Sequence, residues 1–222
     1  MKNKTIFAFV VFIFFSTSIL AGETKNELLF DCNKPSNNPV LCTACNIYHE
    51  ARSESHAGMW LVALVTKNRV EGSLYPLTNA GPKVERDGFT DEFCRVVYEQ
   101  RRDKRSRRWV PMFSWTLDGK HDRVYNADKW RVALELASKV VASHYSPSPS
   151  NKVVDITFGC QWYHRYDIHP YWRKDYFPTI RIGAHQCYSV NEDVYNKLLD
   201  EVLPVVSSWT IKDKDEEVVS LD

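Results

Sequence analysis

At 222 residues the chain is long enough for one sizeable domain or two small ones, and 44% hydrophobic residues can fill a core. Removing Lys2 and Lys4 with a leader turns 29 basic against 28 acidic residues into 27 against 28, a balance with no global pull toward nucleic acid or membrane. Aromatics reach 13%, above the usual level; such rings stack on sugars and also fill cores, and composition does not separate the two.

Residues 1–21 read as a signal peptide. Lys2 and Lys4 make a basic start, residues 6–15 are apolar, and cutting after Ser18 or Ala21 is expected. The apolar stretch is short for a spanning helix and no Cys follows the cut, so no stable membrane or lipid anchor is expected. All six cysteines lie in the exported part, where an even count favours disulfides. Cys42 and Cys45 form a CxxC, but within a helical run, which argues against a redox role.

Residues 22–38 are a polar lead-in tethered by Cys32. Asn38 and Pro39 then supply an N-cap and a first helical residue, and Val40, Leu41, Ala44, Ile47, Tyr48 and Ala51 recur at helical spacing. Glu50 therefore falls near the carboxyl end of a helix, at the edge of the core. Partial desolvation there should raise its pKa, the state a general acid needs. After a turn at residues 52–55, a second helix over 56–70 is apolar nearly all round and so buried, with Gly72 as its C′ residue.

Residues 73–88 read as loop. Thr90-Asp91-Glu92 starts a short helix with Phe93, Val96 and Val97 inward. The run Arg101-Arg102-Asp103-Lys104-Arg105-Ser106-Arg107-Arg108 is either a solvated loop or a finger for an anionic envelope polymer; an exported chain without further basic surface does not suit nucleic acid. Asn126 or Asp128 caps the clearest helix, striped by Trp130, Ala133, Leu134, Ala137, Val140 and Val141, and Pro147 and Pro149 end it. Beyond lies β pattern: a strand over 153–158, a continuation or partner over 161–164, and a returning pair over 180–182 and 186–188. A last amphipathic helix carries Val194, Leu198, Leu199 and Val202, and residues 206–222 form a charged tail. The sum is one α+β domain over residues 39–205, predominantly helical, with a small antiparallel sheet in its C-terminal third.

Six motifs in order then resemble the SleB-type cell wall hydrolases. They are Glu50-Ala51-Arg52-Ser53-Glu54, Asn68-Arg69-Val70, Phe113-Ser114-Trp115, Trp162-Tyr163-His164, Pro170-Tyr171-Trp172 and Ile182-Gly183-Ala184-His185-Gln186-Cys187-Tyr188. Ser53 stands where that family usually has Gly, Ser55 where it has Pro, and Cys187 where an aromatic is expected. The resemblance implies a lysozyme-like fold that cleaves peptidoglycan glycan strands between N-acetylmuramic acid and N-acetylglucosamine, as a lytic transglycosylase. Glu50 would protonate the glycosidic oxygen, and its carboxylate would then take the proton of the muramic 6-hydroxyl as that oxygen closes on C1.

On this reading Ser114 and Trp115 line the groove, the indole stacking on a sugar. Tyr163, His164, His185 and Tyr188 converge on the site, and Glu54 either touches substrate or makes a structural hydrogen bond. Asn68 braces the helix junction, and Cys160 and Cys187, on segments that pair in the sheet, form a bridge. No metal or cofactor is implied, and the protein is expected to be a monomer, secreted or periplasmic, or a phage-encoded exported lysin. Two rivals remain: a zinc amidase with ligands from His164, His169, His185 and Cys160, and a non-catalytic wall-binding module.

Overall fold

Strand β1, Phe30–Asp31, opens the fold, and the computed structural model describes residues 28–33, 37–72, 83–84, 89–102 and 107–197. Asn38 Oδ1 accepts from Leu41 N–H at 3.1 Å and Pro39 takes the first helical position, so helix α1 (Pro39–Ala51) begins where its capping chemistry predicts. Ser55 accepts from Gly58 N–H at 3.3 Å at the start of α2 (His56–Gly72). Gly58 is there for space: a Cβ on it would lie 2.6 Å from Glu54 Cβ. Gly72 is the last helical residue of α2 and not the residue beyond it, so the helix outruns its expected end by two residues.

Met59, Leu61, Val62, Ala63, Leu64 and Val65 of α2 are fully buried, as an all-round apolar helix must be. Strand β2 (Lys83–Val84), helix α3 (Glu92–Tyr98) and strands β3 (Gln100–Arg102) and β4 (Trp109–Pro111) follow, the strands forming an antiparallel sheet in chain order. Asp91 caps α3 by accepting from the N–H groups of Phe93 and Cys94. Strand β5 (Arg123–Val124) pairs with β1, and Asn126 caps α4 (Ala127–Tyr145). Helix α1 packs on α2 and α4 around one core. On α4 the buried stripe includes Leu136, while Leu134 is only half-buried.

The C-terminal third carries β6 (Trp162–Arg165), β7 (Phe177–Ile182) and β8 (His185–Ser189), antiparallel in the order β6-β8-β7, and then α5 (Glu192–Lys197). Residues 153–158, expected as a strand from their apolar content, form no strand. Asp155 accepts from the N–H groups of Thr157 and Gly159, both at 2.8 Å, and Phe158 and Gly159 take positive φ, so side-chain turn chemistry overrides β propensity. Val154 and Ile156 are left exposed.

Three disulfides hold these parts together. Cys32–Cys45 ties the lead-in to α1, Cys42–Cys94 ties α1 to α3, and Cys160–Cys187 joins the segment before β6 to β8, the expected pair. The CxxC cysteines thus serve two separate structural bridges. The leader, the loop residues 73–82 and 85–88, residues 103–106 of the basic run, and Leu198, Leu199, Val202 and the tail lie outside the described residues. Among the described residues no helix is long and apolar enough to cross a membrane.

Candidate active site

Glu50 stands in the last turn of α1, with buried Ile47 and Ala51 beneath it, and its carboxyl meets two hydroxyls from distant segments. Tyr163 Oη donates to Oε2 at 2.8 Å, and Ser114 Oγ to Oε1 at 3.4 Å. Burial raises the Glu50 pKa above its ordinary 4.5, and this outweighs the opposing pull of Tyr163, Arg69 and the Ser114 side chain and main chain. The same donors that oppose the shift are those that receive the carboxylate once its proton has left. Burial and the neighbouring Glu50 push Tyr163 well above its ordinary 10.0, so its phenol stays a donor at any working pH. Ser114 is exposed, which leaves one side of Glu50 open to solvent.

The two hydroxyls are held in place by α2. Arg69 donates to Gln161 O at 2.6 Å, just before β6, and to Met112 O at 2.7 Å, just before Ser114. Its guanidinium lies 4.2 Å from the ring centre of Phe113 and 5.3 Å from that of Trp162, a stacked placement a lysine would not reproduce. Sequence reasoning gave Arg69 no role, because a basic residue near a helix end looks like ordinary surface. Asn68 does brace the junction: its Nδ2 lies 3.0 Å from Asp155 Oδ2, 3.2 Å from Thr157 Oγ1 and 3.1 Å from Cys160 O. Asn68→Ala is expected to destabilise the fold by about 1–3 kcal/mol, since it takes a donor away from the buried Thr157 Oγ1 and Cys160 O; denaturant unfolding reads the loss.

The expected convergence of four ring residues is corrected by the pleat of the sheet. On β6, Tyr163 faces Glu50, so its neighbour His164 must face away. His185 joins Tyr163 on the inner face, ring edge to ring at 5.0 Å, and is buried at 5% exposure, which lowers its pKa and keeps it neutral. His164 and Tyr188 share the outer face, Nε2 to Oη at 2.9 Å, with Trp172 packed edge-on against both. They build the sheet and do not meet Glu50. Glu54 accepts from Ala184 N–H at 3.4 Å, the structural alternative, and carries the hairpin turn that presents His185.

Trp115 departs from expectation too. It is 6% exposed, its Nε1 donates to Asn46 Oδ1 at 2.9 Å, and one ring face is stacked by His49 at 4.7 Å while Tyr98 packs edge-on. Asn46 in turn donates to Thr66 on α2. The indole is therefore a buried wall of the site, with no open face for a sugar. Ser53, in place of glycine, is not among the residues with positive φ, so the turn after the acid does not demand glycine.

The amidase ligand set does not assemble. Cys160 is consumed in a disulfide, His164 and His185 lie on opposite faces of the sheet, and His169 Nδ1 sits 2.7 Å from Arg173. Among the described residues no three His, Cys, Asp or Glu side chains are placed to hold a metal ion together.

A half-buried carboxyl at a helix end, flanked by two hydroxyl donors and open on one side, can hold a proton and release it toward solvent. The Cell Wall Hydrolase family model matches residues 53–188, more than half of the chain, and the chain belongs to that family: it is a hydrolase that acts on peptidoglycan. The match opens just past Glu50 and takes in Arg69, Ser114, Tyr163 and His185. The crystal structure of the catalytic domain of the Bacillus cereus SleB protein aligns with a TM-score of 0.42 at 20% identity, over 76% of this chain and 99% of that one. No curated protein matches the chain. The three disulfides and the family fit an extracytoplasmic enzyme.

Tyr163→Phe removes the shorter of the two hydrogen bonds to Glu50. A bond to a charged group is worth about 1.5–3 kcal/mol, so kcat is expected to fall roughly ten- to a hundredfold with KM little changed. The alkaline limb of the pH profile should move upward, because a donor that favours the ionised form is gone.

Proposed function

We propose that the protein cuts the glycan strand of peptidoglycan between N-acetylmuramic acid and N-acetylglucosamine, as a lytic transglycosylase with Glu50 as its sole general acid and base. The observation that carries this is the pairing of burial with two hydroxyl donors at one carboxyl. Burial favours the protonated acid before the reaction, and Tyr163 and Ser114 favour the carboxylate after it. Glu50 gives its proton to the glycosidic oxygen as the C1–O bond breaks. The carboxylate then takes the proton of the muramic 6-hydroxyl, whose oxygen bonds to C1 and closes a 1,6-anhydro ring. Glu54, engaged with the hairpin turn, supports a mechanism that needs no second carboxylate.

Export through the leader at residues 1–21 belongs to the same reading, as does a hold on anionic wall polymer by the basic run, whose Arg107 and Arg108 are exposed. The test is mass analysis of soluble fragments from purified wall. Anhydro-muropeptides support the proposal. Products with a reducing muramic end would mean hydrolysis, free stem peptides an amidase, and wall association without soluble fragments a binding module.

A further inference from the structure

The two segments that Arg69 touches repeat one pattern. Gln161-Trp162-Tyr163 and Met112-Phe113-Ser114 each present a carbonyl, a ring and a hydroxyl on three consecutive residues. Arg69 engages the first two members of both. Its Nε donates to Gln161 O and its Nη1 to Met112 O, while the guanidinium lies against the rings of Trp162 and Phe113. Glu50 receives the third member of both, Tyr163 Oη at Oε2 and Ser114 Oγ at Oε1.

Nothing else in the local fold sets the gap between those hydroxyls. Ser114 follows β4 and Tyr163 lies on β6, and these strands belong to separate sheets, so no ladder joins the segments. Arg69 itself is well anchored, since Asn68 and Val70 on either side of it on α2 are buried. A guanidinium is a planar fork whose N–H groups point in fixed directions, so it can hold two carbonyls and two rings in one arrangement. An ammonium at this position keeps the charge but has neither the fork nor the flat face. The Arg69 charge also reaches Glu50 and Tyr163 and lowers the pKa of each, against the effect of burial.

We infer that Arg69 is a positioning residue for the reaction, holding the Tyr163 and Ser114 hydroxyls on Glu50 as one coupled unit. Loss of the fork then releases both donors together, so substitutions at 69 and 163 do not add. The inference rests on the reading of Glu50 as the acid, and deepens it by naming what assembles its two donors.

The test is a double-mutant cycle of Arg69→Lys and Tyr163→Phe on the full chain. Carbon-13 titration of the Glu50 carboxyl reads it without substrate. Because lysine keeps the charge, an upward move in Arg69→Lys reports displaced donors. That move should equal or exceed the one in Tyr163→Phe, and the double variant should titrate with Arg69→Lys alone. In wall lysis, Arg69→Lys should lower kcat roughly tenfold or more with KM within about twofold, and adding Tyr163→Phe should cost less than about twofold further. Phe113→Leu is the second probe, should Arg69→Lys not fold. It removes neither hydroxyl nor charge, only the nearer ring on the guanidinium, yet should move Glu50 in the same upward direction. An unmoved Glu50 in the folded variants, or shifts at 69 and 163 that simply add, overturns the inference. Failure of the acid reading shows separately, as wall lysis that survives Glu50→Gln, and leaves the titration cycle to judge Arg69.

Discussion

Glu50→Gln should abolish lysis of wall suspensions, with a loss of about a hundred- to ten-thousandfold in turnover, while far-UV and near-UV dichroism remain those of the wild type. The amide has nearly the shape of the acid and can still accept from Tyr163, so the site stays assembled; what it cannot do is release a proton to a leaving oxygen. A stability signature accompanies the loss. Burial raises the folded-state pKa of Glu50 above 4.5. A group of that kind contributes fully to stability below its unfolded pKa, and the contribution is lost as pH rises through the folded one. The variant should therefore match the wild type in acid and exceed it in stability near and above neutrality. A variant that lyses wall at the wild-type rate would remove Glu50 from the mechanism.

Replacing Cys42 and Cys94 together by alanine should cost about 4 kcal/mol, because their bridge closes a loop of 52 residues and the chain-entropy cost of such a loop falls between those of short and hundred-residue ones. Both residues are buried, so alanine avoids stranding a polar group. The effect reaches function because α1 carries Glu50 at its end and the bridge fixes α1 to α3. Guanidinium unfolding of the oxidised wild type and the double variant gives the difference directly. A cost under about 1 kcal/mol would mean that the core alone holds α1 in place.

The position of Glu50 was legible because two local signals agree: the Asn38-Pro39 start and the apolar stripe count forward to the same helix end. The buried α2 was legible for a similar reason, its apolar residues leaving no face for water. The outer placement of His164 could also have been read. Adjacent residues on a strand face opposite ways, so Tyr163 and His164 cannot both meet one carboxyl. Other features carried no local signal. Nothing near Arg69 in the sequence tells that Phe113 and Trp162 will enclose its guanidinium. The turn at Asp155 defeats a β pattern through one carboxylate, and the burial of Trp115 depends on Asn46 and His49 from another helix.

The account depends on Glu50 keeping its proton under conditions where an exposed glutamate would lose it. Carbon-13 NMR titration of the side-chain carboxyls, with Glu50→Gln used to assign the resonance, measures this directly. The account predicts a Glu50 resonance that titrates clearly above 4.5, and further upward in Tyr163→Phe; a resonance already ionised at or below 4.5 would contradict it.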